Sequence, residues 1–232
     1  MSCSSLKKLC LLANKTIIDN GLAKFQFGNV SLRNHHEVII KPTGIDLDSC
    51  EVEDMSVVDV RTAQHSSGRA PSTDTLTHIE IYKKYKEIQS VVHTHSPYAT
   101  AWAQASKPIP CLGTTHADYW EGEVPVTREL TESEINGEYE LATGKVIVEM
   151  LLKLGLEPCE CPGILVAHHG PFTWGQTVEE AVKNAELLEY IAKLACLSLQ
   201  LNPITTAIPV ALHHRHFSRK HGTNAYYGQE NS

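Results

Sequence analysis

Thirteen histidines are spread along this 232-residue chain, and two groups of them stand where a metal ion could be held. His93-Thr94-His95 follows the apolar pair Val91-Val92, and His168-His169-Gly170 follows Ile164-Leu165-Val166-Ala167. Alternate side chains of a strand share a face, so His93 and His95 point the same way and can grip one ion. A third imidazole from a second strand end, with a carboxylate, would leave one position open, as a catalytic zinc requires. Asp74, in Pro71-Ser72-Thr73-Asp74 at the start of a helix-like segment, offers the carboxylate. With thirteen His some close pairs arise by chance, and an isolated His-x-His is no better than an even candidate. The second strand-end group tips the balance toward a metal.

Short strands and helices must position these groups. Leu6, Leu9, Cys10, Ala13 and Ile17 recur at helical spacing before a stop at Gly21. Residues 25–27, 29–32, 38–40 and 55–60 read as strands separated by turns. A helix is expected over 74–86, and Ser96 with Pro97 at its first position opens another, running to about Gln104. Thr131-x-x-Glu134 and Thr177-x-x-Glu180 have the form of capping boxes, each expected to open one long helix, ending near Gly155 and near Leu201. With no repeat and no shift in composition, a single layered α/β domain with a partly antiparallel sheet follows.

Composition excludes some functions. The formal charge is −7, from 20 Lys and Arg against 27 Asp and Glu, so nucleic acid is not an expected partner. No apolar run is long enough to span a bilayer, and the first eight residues lack the form of a signal peptide. Seven cysteines lie without a framework, and Cys159-x-Cys161 has the wrong spacing for a redox pair. Reduced thiols in a cytoplasmic protein are expected.

Several stretches together resemble the class II, zinc-dependent sugar-phosphate aldolase/epimerase family: Gly28-Asn29-Val30-Ser31, Lys41-Pro42-Thr43-Gly44, Pro71-Ser72-Thr73-Asp74-Thr75, His93-Thr94-His95-Ser96 and His169-Gly170-Pro171-Phe172. Residues 113–119, 135–140 and 220–229 are similar to its 4-epimerase branch, and the resemblance spans residues 6–229. It implies a three-layer α/β/α sandwich with a central antiparallel or mixed sheet, a single domain over 1–232, and a ring-like homotetramer with active sites at subunit interfaces. The tail, 213–232, would reach a neighbouring subunit. The implied metal ligands are His93, His95 and His169, with Asp74 a further ligand or a partner of one. His168 falls outside the pattern, and on an extended backbone His168 and His169 cannot both face one site. Zinc suits imidazole and carboxylate, and manganese or cobalt could substitute. The implied phosphate site is Gly28, Asn29, Lys41, Thr43, Gly44, Ser72 and Thr73, partly at a helix start, where free N–H groups favour an anion.

The implied substrate is a ketopentose phosphate inverted at C4, a carbon with no acidic proton. No Gly-x-Gly-x-x-Gly fingerprint supports oxidation and re-reduction. Retro-aldol cleavage of C3–C4, rotation of the aldehyde and re-addition avoid both difficulties, with the metal as Lewis acid. Inversion needs proton handling on two sides, and the resemblance gives these roles to Asp118 and Tyr227, with His116 and His216 in support. Two rivals stand beside this reading. A true aldolase of the family carries Glu where this chain has Asp74, and a non-catalytic interaction module of the same fold lacks the histidine set.

Overall fold

The computed structural model describes residues 2–25, 27–222 and 225–226. Helix α1 (Cys3–Asp19) leads into strands β1 (Gly28–Asn34), β2 (Glu37–Ile40), β3 (Ser56–Asp59) and β4 (His65–Ser67). Then come α2 (Thr75–Lys84), β5 (Ser90–Thr94), α3 (Pro97–Gln104), and two short helices, α4 (Thr114–Ala117) and α5 (Glu132–Ile135). Helix α6 (Tyr139–Leu154), β6 (Gly163–Leu165), β7 (Pro171–Gly175), α7 (Val178–Leu201) and α8 (Val210–His221) complete the chain.

The strands form one antiparallel seven-stranded sheet in the order β4-β3-β2-β1-β5-β7-β6. Its central strands are rich in β-branched residues, which suit a pleated surface covered on both sides. Side chains alternate between two cores. Val30, Leu32, Ile39, Val57 and Val92 pack with α1 and the first half of α7. Val38, Ile40, Val58, Val91, Phe172 and Trp174 face residues of α2 and α6. The expected sandwich is therefore present, with helices on both faces of the sheet.

The local signals acted mostly as expected. The Ser2 side chain caps α1 by accepting from the Ser5 N–H, and α6 stops at Gly155 in the left-handed conformation. Pro97 opens α3, but the Glu189 carboxylate from α7 takes the Tyr98 and Ala99 N–H groups at 2.9–3.1 Å, instead of the Ser96 side chain.

Three expectations need correction. Phe25 sits in a left-handed turn (φ 53°) and Phe27 lies outside the strands, so neither end of the expected strand is extended ladder; Gln26 lies outside the described residues. The capping box at Thr131 closes as expected, with Thr131 N–H to Glu134 Oε2 at 2.8 Å, but it opens only the single turn of α5. A separate helix, α6, starts after Gly137, because Asn136 and Gly137 are poor helix formers and interrupt the run; Arg128 also holds the Glu134 carboxylate at 2.9 Å. At α7 the Thr177 hydroxyl accepts from the Glu180 N–H, but the Glu180 carboxylate reaches back to the Gln176 N–H at 2.7 Å, one residue beyond the reciprocal box.

Helices α2 and α6 lie close enough that a Cβ on Gly144 would fall 2.7 Å from Glu80 Cβ and 2.9 Å from the Thr77 carbonyl oxygen. Thr77 Oγ1 also donates to the Glu140 carbonyl at 2.7 Å. This contact fixes the start of α6 beside the start of α2. Gly144→Ala is expected to cost about 1–3 kcal/mol, because the overlap includes backbone that cannot swing away. The urea midpoint should fall at constant slope, and an unchanged midpoint would show that the two helices part freely.

Candidate active site

His93 stands near the end of β5, opposite Asn29 of β1 and Phe172 of β7. Its ring stacks on Phe172 at 4.2 Å between centroids, and Nδ1 donates to the Pro171 carbonyl at 3.0 Å. A neutral imidazole that donates from Nδ1 presents a bare lone pair at Nε2. That Nε2 lies 3.1 Å from His95 Nε2, on the same side of the strand. His169 completes the group: the ligating atoms of His93, His95 and His169 all lie within 4.8 Å of one another.

The turn between β6 and β7 decides which of two adjacent histidines joins. It is tight, with the Val166 N–H bonded to Gly170 O and the His169 N–H to Val166 O. His168 takes a left-handed conformation (φ 60°) and its Nε2 meets Glu129 Oε1 at 3.0 Å and Ser106 Oγ at 3.2 Å, away from the cluster. The backbone here is not extended, so the alternation of a strand does not apply; the φ of His168 turns the two neighbours apart. Gly170 makes room, since a Cβ there would fall 2.8 Å from the Thr94 carbonyl oxygen.

Burial holds all three imidazoles below the ordinary histidine range, His93 most deeply, and the Asp74 carboxylate only partly opposes this. They are neutral at neutral pH, the form that ligates a metal. His169 Nδ1 is buried without a hydrogen-bond partner among the described residues. A converging set of neutral imidazoles with one orphaned nitrogen fits a divalent ion of the zinc class.

Asp74 lies at the start of α2 without capping it and is not part of the 4.8 Å cluster. Its Oδ2 accepts from Asn29 Nδ2 at 2.7 Å. Burial pushes this carboxyl up, but His93, His78, the Asn29 amide and His169 outweigh it and hold the group below its usual value. Gly28, Asn29, Lys41, Thr43, Gly44, Ser72 and Thr73 line one cleft of about 440 Å³ with Asp74, His95 and His169. Asn29 Nδ2 also reaches Ser72 Oγ at 3.2 Å. The N–H groups of Thr43 and Ser72 are bonded to Ala70 O and Lys41 O, so these two residues offer hydroxyls rather than amides to the cleft. Lys41 is buried, and that burial lowers its ammonium pKa while Asp74 opposes the shift.

Phe27, Tyr139 and Glu140 line the same cleft, although periodicity gave them no role. The Phe27 ring lies 5.6 Å from that of His95, and Tyr139 lies 6.3 Å from that of His169. The signal that could have found the latter two is their place at the first turn of α6, beside the start of α2.

Asp118 does not line this cleft. It follows α4 and is packed against α8, where Arg219 and His216 hold its carboxylate. His116 is buried edge-on against Trp120, with Nε2 unpartnered among the described residues; burial, then His213, lowers its pKa to about 4. Residues 213–222 of the expected tail thus pack on their own chain's α4, while Tyr227 lies outside the described residues.

Substitution separates ligand from neighbour. His169→Asn should weaken zinc binding by more than about 100-fold, since even partners outside the ligand set contribute 10–100-fold. His168→Asn should keep nearly full zinc content by atomic absorption, and the reverse order would place the wrong histidine at the metal.

Residues 8–196 match the family model described as the Class II Aldolase and Adducin N-terminal domain. The chain is 48% identical over 227 residues to the L-ribulose-5-phosphate 4-epimerase UlaF of Salmonella paratyphi C, covering 97% of this chain and 99% of that protein. The protein of the same name from Salmonella choleraesuis is equally similar. Among solved structures, an L-fuculose 1-phosphate aldolase superposes with a TM-score of 0.77 at 22% identity, covering 94% of this chain and 97% of that one. The L-fuculose-1-phosphate aldolase of Thermus thermophilus superposes with a TM-score of 0.67 at 20% identity, covering 86% of this chain and 98% of that one. With the fold, the histidine cluster and near-complete coverage in agreement, the chain belongs to the class II aldolase family.

Proposed function

We propose that this protein is a metal-dependent 4-epimerase that interconverts L-ribulose 5-phosphate and D-xylulose 5-phosphate. The observation that carries this reading is a cluster of three neutral imidazoles opening on a cleft of anion donors, in a chain 48% identical over nearly its full length to named 4-epimerases. His93, His95 and His169 would hold the ion, with Asp74 a ligand or a partner of one; zinc suits this set. When bound, the ion supplies Lewis-acid polarisation of the substrate oxygens.

The remaining steps belong to side chains. Asn29, Thr43, Gly44, Ser72 and Thr73, with Gly28 in the wall, hold the phosphate at the start of α2, and the positive end of that helix favours it. Lys41 adds a cation when protonated. A phosphate so fixed keeps the two-carbon aldehyde in place after C3–C4 cleavage while its carbonyl turns over. Asp118 and Tyr227 would serve the C4 oxygen from opposite sides, with His216 and His116 supporting Asp118. Seven free thiols, four of them buried, suit a reducing compartment, the cytoplasm.

An NMR assay of zinc-loaded protein with L-ribulose 5-phosphate tests the reaction. D-Xylulose 5-phosphate is the expected product. Accumulation of dihydroxyacetone and glycolaldehyde phosphate would indicate an aldolase, and an unchanged substrate a non-catalytic member of the fold.

Asp118 and the metal ligands occupy different parts of the chain, so the reading requires them to meet across a subunit interface in a homotetramer. Tyr190, Leu194, Leu197 and Leu201 form an exposed apolar stripe on α7, from 38% to 89% exposed, which supports association. The active site then divides into a metal half and an α4–α8 half. His95→Asn and Asp118→Asn proteins, each reduced to residual activity, should regain activity when co-refolded. In a ring with one repeating interface, about one quarter of the interfaces would pair an intact metal half with an intact Asp118 half. Verified mixed rings without activity would contradict the shared site.

A further inference from the structure

The carboxylate of Asp118 is surrounded in an ordered way. Arg219 Nε lies 2.8 Å from Oδ1 and Nη2 lies 2.7 Å from Oδ2, a two-pronged contact. His216 Nδ1 lies 3.1 Å from Oδ1, and His221 Nε2 lies 3.0 Å from the Asp118 carbonyl oxygen. The three partners stand at 216, 219 and 221 of one helix, α8, and Asp118 is only 6% exposed. An ionised carboxylate offers about four lone-pair sites, two on each oxygen. Among the described residues, Oδ1 spends both, on Arg219 and His216, whereas Oδ2 spends one. A single acceptor lobe, on Oδ2, is left for another group.

We propose that Arg219 is the positioning residue of Asp118. Its planar fork fixes the carboxylate plane and makes Oδ2 the one atom through which a proton passes to or from the C4 oxygen. This rests on the reading of Asp118 as the acid–base group of the epimerisation. In one direction Oδ2 takes the proton of the C4 hydroxyl. The C3–C4 electron pair stays with C3 and is delocalised onto the C2 carbonyl oxygen, and C4 becomes the aldehyde carbon. After the aldehyde turns over, C3 attacks its other face and the second acid–base group of that reading, Tyr227, would protonate the new C4 oxygen. Proton exchange with water then restores both groups. Arginine suits the task better than lysine, because a guanidinium binds both oxygens in one plane while an ammonium is a point charge.

The test is a double-mutant cycle in the zinc-loaded oligomer, reading kcat and KM for L-ribulose 5-phosphate. Arg219→Gln should lower kcat by roughly 100-fold, the scale of a misplaced reacting group. KM should stay within about threefold, because a group that acts only at the reacting proton contributes little to ground-state binding. Arg219→Lys should fall between wild type and Arg219→Gln. The protein carrying both Asp118→Asn and Arg219→Gln should be no slower than Asp118→Asn alone, because Arg219 acts through the carboxylate. Near-normal kcat in Arg219→Gln with Asp118→Asn reduced to residual activity would overturn the proposal while leaving the role of Asp118 intact. Multiplying losses in the double variant would also overturn it. An active Asp118→Asn would overturn the parent reading and this one together. If Arg219→Gln changes zinc content or assembly, the same cycle is read from Arg219→Lys, where a loss in kcat that vanishes in the Asp118→Asn background supports the proposal and a multiplying loss overturns it.

Discussion

The register of β1, β5 and β7 is the constraint on which the site depends. It sets Asn29 opposite His93 and His93 opposite Phe172. A slip of one residue would turn His93 and His95 to the α1 face and bring Val92 and Thr94 into their place. The hydrogen bond from His93 Nδ1 to the Pro171 carbonyl belongs to the same register and leaves Nε2 as the free lone pair. Both cores guard that register: each face of the central strands packs its own set of apolar side chains, so exchanging the faces would break the fit of both cores at once.

Around that frame, burial acts in two directions. It keeps His93, His95 and His169 neutral, and so ready to ligate. It penalises the Asp74 carboxylate, but neighbouring histidines and the Asn29 amide outweigh the penalty. A charged carboxylate thus lies beside neutral imidazoles, which suits a cation. Asp118 is arranged differently. It is held by a guanidinium and an imidazole on α8 and is not among the residues that line the histidine cleft. One chain therefore contains two separately built halves of the proposed chemistry.

Much of this was legible in the sequence. Alternation along a strand put His93 and His95 on one face, and the starts of α3 and α7 and the stop of α6 followed from Pro97, Thr177 and Gly155. Other features depend on contacts that no local pattern encodes. The separation of His168 from His169 follows from one left-handed residue in a tight turn. The tie between α5 and α6 runs through Arg128, which reaches Glu134 and Glu149, the latter 21 residues away. Tyr139 and Glu140 enter the cleft because Gly144 lets two helices approach. Arg219 and Asp118 are 101 residues apart, and their pairing is a property of the fold alone.

In the proposed enzyme a metal half and an acid–base half, built from different parts of one chain, meet between chains. A crystal structure of the zinc-loaded protein with an unreactive ketopentose phosphate analogue measures this directly. The account predicts zinc on His93, His95 and His169 of one subunit, with the analogue's C4 oxygen within hydrogen-bond reach of Asp118 Oδ2 from the adjacent subunit. An assembly in which every Asp118 remains beyond reach of every bound analogue would contradict it.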